Sequence, residues 1–301
     1  MKKIVLIVLT LFLFAELAVV FLPQIVHPVD YTIELAATHM LHGQTQPLKS
    51  IVYTKAAIPT EPTTDPPEPT IPPLVDKPGS VFDTYHSDEY GDYLNYYVHI
   101  PENATIGMPL IVYLHGDGEV NQPESLPKSG LCHIVRSIYG EEFPFLLLEP
   151  NTRVKSWTSG SIPKLLIELI DFVSERYSVN TDKIIICGHS RGAMGVWDMI
   201  SIYGNYFSAA VPVSSPHQKG HIEYLKAAEV PVWTFAGDVG DIERWYHQYL
   251  AKNVEMINVS GGFGKFTVLE GADHGLAFYR AFEKETFEWM LAQERGVIPE
   301  E

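Results

Sequence analysis

The stretch from Lys183 to Gly195, Lys-Ile-Ile-Ile-Cys-Gly-His-Ser-Arg-Gly-Ala-Met-Gly, constrains the fold more than any other part of the chain. Its apolar, β-branched run reads as a strand buried on both faces, and the small residues after it open a helix. Between the two, Gly188-His189-Ser190-Arg191-Gly192 has the G-x-S-x-G form that presents a serine at a sharp strand-to-helix turn. Such a turn strains the serine backbone, and Gly188 and Gly192 leave room for strand and helix to pass closely. The helix N-terminus behind Ser190 directs N–H groups and a positive dipole end toward any oxyanion forming there. Ser190 is therefore the candidate nucleophile.

The surrounding pattern supplies the rest of a sheet. Ser80–His86 and Leu94–Ile100 read as a hairpin turning at Asp88–Asp92, and Pro109–Leu114 and Phe143–Glu149 as buried strands. Helical spacing runs through Leu126–Tyr139, Ser161–Tyr177, Ala193–Tyr203, Glu243–Met256 and Phe278–Arg295. Further short strands fall at Ala209–Val213, Val230–Phe235 and Lys265–Leu269. Strands alternating with helices predict an α/β fold with a mostly parallel central sheet covered on both faces. Only Ser214–Glu229 separates two of the late strands, room for a minimal lid.

Ahead of this domain the chain changes character. Lys2 and Lys3 precede Ile4–Leu22, which is apolar except for Thr10 and Glu16. A helix of that length spans about 28 Å, close to the hydrocarbon core of a bilayer. Its apolar residues outweigh one acidic residue costing at most about 3 kcal/mol, so the segment is expected to insert. Lysines before it and Asp30 and Glu34 after it place the remainder outside the cell. Neither Ala18 nor Ala37 offers a convincing cleavage site, which favours an uncleaved anchor. Pro59–Pro78 is so dense in proline and threonine that an extended spacer follows. The expected organisation is a transmembrane signal anchor at 1–25, a juxtamembrane and Pro/Thr-rich stalk at 26–80, the α/β domain at 81–296 and a tail at 297–301.

Composition mainly excludes. A net charge of −16 argues against nucleic acid as a partner. Cys132 and Cys187 make no disulfide framework, and Cys187 falls in the buried run. His217 and His221 are four apart without the glutamate of a zinc-protease helix, so no metal is expected. No Walker or dinucleotide motif is present, and no cofactor is called for.

Ligands of such sheets gather at the carboxyl ends of the strands. After Pro109–Leu114 comes His115-Gly116-Asp117-Gly118, where glycines allow backbone N–H groups to face a carbonyl oxygen. The N–H of Asp117, beside Gly116, and the N–H of Arg191 are the candidate oxyanion donors. After the last strand, Gly271-Ala272-Asp273-His274-Gly275 puts His274 on a loop at the right edge as the general base. After Val230–Phe235 the chain reads Ala-Gly-Asp-Val-Gly-Asp, so Asp241 is the first choice and Asp238 the second for the acid orienting His274. Asp241 would also cap the following helix.

With these motifs, residues from about Val81 to Arg295 resemble the α/β-hydrolase superfamily, in particular its serine esterase branch. That branch includes polyhydroxybutyrate depolymerase-like, feruloyl and acetyl-xylan esterase-like enzymes and predicted peptidases. The resemblance implies carboxylic ester cleavage through an acyl-enzyme. It also marks His115, Trp157 and His189 as substrate-binding candidates, Trp157 being similar to an aromatic near the site in many relatives. One departure stands out: relatives place the acid three residues after the glycine, and there this chain has Gly240. An acyltransferase, a serine peptidase and a non-catalytic hydrolase-like binding module are the alternative readings.

Overall fold

The computed structural model describes residues 40–41, 44–45, 78–216 and 224–299. The chain divides into two compact units, Met1–Pro66 and Pro67–Glu301. In the first, Met40–Leu41 pairs antiparallel with Gln44–Thr45. The expected membrane segment and nearly all of the expected stalk lie outside the described residues. Among the described residues no helix is long and apolar enough to cross a membrane.

The second unit holds an eight-stranded sheet. Its strands are β1 (Gly79–Ser87), β2 (Asp92–Ile100), β3 (Leu110–Leu114), β4 (Leu146–Asn151), β5 (Ile184–His189), β6 (Ala209–Val213), β7 (Val232–Gly237) and β8 (Gly264–Leu269). Their spatial order is 8-7-6-5-3-4-2-1. The hairpin β1–β2 is antiparallel, as is the β2–β4 pair, and the remaining pairs are parallel. The helices are α1 (Leu126–Ser129), α2 (Leu131–Tyr139), α3 (Ile162–Arg176), α4 (Arg191–Tyr203), α5 (Tyr224–Ala227), α6 (Asp241–Val259), α7 (His274–Ala281) and α8 (Lys284–Ala292).

The period-two alternation of the central strands divides the core. Leu110, Val112, Leu114, Ile184, Ile186 and Ala210 face one layer, built from α3, α4 and α6 through residues such as Leu169, Trp197 and Leu250. Ile111, Tyr113, Ile185, Cys187, Val211 and Val213 face the other, built from α2, α7 and α8 through Val135, Phe278 and Phe287. Because both faces are covered, β3, β5 and β6 carry almost no polar side chains. Cys187 in β5 is a buried thiol whose pKa burial raises well above its ordinary value.

Two helices expected as single rods are broken. The Leu126–Tyr139 segment divides at Gly130, where a Cβ would run into the Glu149 carboxylate and the Leu126 carbonyl. Glu149, wholly buried, accepts from the Cys132 N–H at 3.2 Å near the start of α2 and pairs through Oε2 with His99 Nε2 at 2.7 Å. His99 Nδ1 in turn meets the hydroxyl of the exposed Ser80 at 2.8 Å, so both ring nitrogens of the buried histidine have a partner. The closing segment divides into α7 and α8 about Phe282, and α7 begins four residues earlier than its apolar periodicity suggests. Between β6 and β7 the described residues are Ser214–Pro216 and the stretch holding the short helix α5.

Candidate active site

The carboxyl end of β5 runs straight into α4, with Ser190 between them at φ 56° and ψ −117°. That is left-handed backbone for a non-glycine residue, held by a hydrogen bond from the Ser190 N–H to Val213 O at 2.9 Å. The turn also depends on missing side chains. A Cβ on Gly192 would collide with the Leu114 carbonyl of β3, and one on Gly188 with the Gly192 backbone. A serine preceding a helix commonly turns its hydroxyl back to cap it. Ser190 makes no such cap, and its Oγ lies 2.9 Å from His274 Nε2.

His274 is the first residue of α7 rather than a loop residue, because Asp273 caps that helix by accepting from the Leu276 N–H at 2.8 Å. Its other ring nitrogen, Nδ1, sits 2.5 Å from Oε1 of Glu243, a carboxylate with no exposed side-chain surface. Glu243 Oε2 accepts from the Gly237 N–H at 2.6 Å and the Ser214 hydroxyl at 3.0 Å. Glu243 is the third residue of α6, where the positive end of the helix favours an anion.

The β3 loop closes on the elbow from the other side. A Cβ built on Gly116 would stand 3.6 Å from Ser190 Cβ. The Asp117 carboxylate grips the Arg191 guanidinium in two bonds, Nε–Oδ1 at 2.8 Å and Nη2–Oδ2 at 3.0 Å. This pairing holds the Asp117 carboxyl below the usual carboxylate range and raises Arg191. The structure thus places Gly116, Asp117, Ser190, Arg191 and His274 near one another, with Glu243 against His274. Among the described residues no group of His, Cys, Asp and Glu side chains is arranged to hold a metal ion.

No family model and no curated protein matches the chain. Solved structures do match. A thermostable esterase superposes with a TM-score of 0.63 at 22% identity, covering 72% of this chain and 63% of its own. This chain therefore spans about 63% of that esterase's length. FphF of Staphylococcus aureus, a fluorophosphonate-binding serine hydrolase, superposes at 0.57 with 17% identity over 72% of this chain and 99% of its own. The feruloyl esterase module of Clostridium thermocellum in complex with sinapinate does so at 0.56 with 16% identity, over 77% and 93%.

The fold is that of the α/β-hydrolases.

Within the hydrolase fold, several residues stand elsewhere than expected. Asp241 points into solvent from the first turn of α6, 3.5 Å from Arg244. Its carboxylate does not touch His274. Nor does it cap the helix, since Gly240 occupies that position at φ 93°. Asp238 is turned the other way and accepts from the Gly271 N–H at 2.7 Å, tying the β7 loop to the loop that leads into His274. The acid against His274 lies six residues past Gly237 because it is delivered by a helix. From there only the longer glutamate arm reaches back to the imidazole. The available signal was an acidic residue in the first turn of a helix following the strand, which also describes ordinary dipole compensation.

The substrate-binding candidates are corrected too. Trp157 is 2% exposed, packed over Gly195 of α4 and donating Nε1–H to His115 O at 3.1 Å. His115 is fully buried: Nδ1–H donates to Gly116 O at 2.7 Å and Nε2 accepts from the Thr152 N–H at 3.1 Å. Burial lowers its pKa to about 4. Trp157 and His115 brace the β3 loop from inside the core and do not line a cleft. His189 lies behind His274, donating from Nε2 to its carbonyl oxygen at 2.9 Å, with the two rings tilted at 41° and their centroids 4.7 Å apart. Burial, then the neighbouring His274, lower its pKa to about 4.

Proposed function

We propose that the chain is a serine carboxylesterase-type hydrolase working through an acyl-enzyme. The observation that carries this reading is the continuous contact from Glu243 through His274 to a serine held in left-handed backbone at a strand-to-helix turn. His274 Nε2 takes the proton of Ser190 Oγ as the oxygen attacks the ester carbonyl. Glu243 keeps the Nδ1–H tautomer and stabilises the imidazolium that forms. The backbone N–H groups of Arg191 and Asp117, beside Gly116, receive the oxyanion. Collapse of the tetrahedral intermediate passes the proton from His274 to the leaving alcohol, and water repeats the sequence to free the acid. The esterase and serine hydrolase neighbours on the same fold support an ester as substrate. The short interval between β6 and β7 supports an open site suited to esters on bulky or carbohydrate-polymer alcohols.

A fluorophosphonate probe followed by mass spectrometry tests the reading. The probe is expected on Ser190, and Ser190→Ala should lose labelling and at least about 10⁴-fold in kcat while remaining folded. A Ser190→Ala variant retaining a tenth of the wild-type turnover refutes it. A panel of acetyl, butyryl, long-chain and feruloyl esters then identifies the acyl group.

The charge pattern around Ile4–Leu22 and the proline-rich run after it support a catalytic domain tethered outside the membrane. Protease added to intact cells should release active enzyme by cutting within Pro59–Pro78. Protection of the domain until lysis refutes this placement.

A further inference from the structure

Glu243 is gripped on the side away from His274, and one of the two groups holding it is a side chain. Ser214, at the end of β6, is fully buried and donates its hydroxyl to Glu243 Oε2 at 3.0 Å. Its φ is 53°, a left-handed conformation that glycine would adopt at no steric cost. The surrounding bonds hold it there. The Ser214 N–H donates to Phe235 O at 2.8 Å. The preceding Val213 carbonyl receives the Ser190 N–H at 2.9 Å, and the following Ser215 carbonyl receives Trp197 Nε1–H at 3.0 Å. Three consecutive residues therefore grip the nucleophile's backbone, the carboxylate of Glu243 and helix α4.

We propose that Ser214 is a positioning residue that fixes the carboxylate of Glu243 for His274. A glutamate reaching back from a helix has rotatable bonds a short aspartate lacks, and its terminal torsion is soft. The Gly237 N–H alone anchors one oxygen and lets the carboxylate swing. A second donor on that oxygen sets the plane and leaves Oε1 facing Nδ1. A serine in strained backbone is explained by this need for a hydroxyl, because glycine would relieve the strain and lose the donor.

The inference rests on the triad reading, and the test separates the two. In the full chain, Ser214→Ala keeps the strained backbone and Ser214→Gly relieves it, and both remove the donor. Each is expected to lower kcat about ten- to a hundredfold, as for a hydrogen bond to a charged group, with KM changed less than about twofold. In a Glu243→Gln background the same Ser214→Gly change should alter kcat less than about twofold, because a residue acting through Glu243 has nothing left to act on. Should both truncations fail to fold, Ser214→Cys, similar in size with a weaker donor, is expected to show a reduced kcat. The inference is overturned if the folded Ser214 variants keep more than half the wild-type kcat. Equal losses with and without Glu243 overturn it as well. Full activity in Glu243→Gln itself overturns the triad reading and this inference together, whereas a crippled Glu243→Gln beside an active Ser214→Gly overturns this inference alone.

Discussion

Lowering the pH should cost stability through His115, which braces the β3 loop, from the point where the unfolded chain begins to take up its proton. His115 is buried with Nε2 facing the Thr152 N–H, so a proton on Nε2 would set two donors against each other. Burial holds its pKa at about 4, against an ordinary 6.5. Because the folded value is depressed, the unfolded chain takes up protons first as pH falls. The associated stability is present above pH 6.5 and is lost progressively toward pH 4, by about 3 kcal/mol over the whole window. Between pH 7 and pH 5 the loss is about 2 kcal/mol from His115 alone. His189 acts in the same direction. Glu119, which burial raises, opposes them, since its protonation in the folded state gains ground as pH falls. Urea unfolding of wild type and His115→Gln at both pH values isolates the histidine. Whatever the variant's stability at pH 7, the wild-type advantage should shrink by about 2 kcal/mol at pH 5. A difference that stays constant with pH, or an imidazole resonance of His115 titrating near 6.5, refutes the reasoning.

Glu243→Gln should reduce kcat by about 10⁴-fold, by analogy with loss of the orienting acid in other triads, while Asp241→Asn should leave turnover within about twofold. Equal, small effects of both substitutions would exclude Glu243 as the orienting acid. Gly192→Ala should push β3 away from the elbow, because the added methyl meets the Leu114 backbone carbonyl and not a flexible side chain. About 1–3 kcal/mol of stability and most of kcat should be lost. An unchanged urea midpoint contradicts that contact.

How much of this was legible in the sequence depended on whether a residue's role is set by neighbours along the chain. The elbow is local: strand, glycines, serine and helix are contiguous, and Ser190 stands where they put it. His274 was found from chain order after the last strand, although Asp273 turns its loop into a helix start. Glu243 escaped because its partners, His274, Ser214 and Gly237, converge on it only in three dimensions. Asp241, with Asp238 behind it, was preferred because both stand nearer the strand. Trp157 and His115 were misplaced for a related reason. Proximity to a site in sequence does not say whether a side chain faces the cleft or the core, and the close approach of Gly195 draws Trp157 inward. The break at Gly130 followed from a carboxylate on a strand 19 residues away, which no helical periodicity could reveal.

The fork between Arg191 and Asp117 joins residues 74 positions apart through their side chains, while the oxyanion role proposed for them rests on their backbone N–H groups. With about a third of the Arg191 side chain and nearly half of the Asp117 side chain open to solvent, the pair contributes little to folding. Its position gives it a different use. It ties the loop after β3 directly to the first residue of α4, and a pair this open to solvent is screened as ionic strength rises. A substitution at position 191 is therefore expected to change how firmly the β3 loop is held against α4 while leaving thermal stability nearly unchanged.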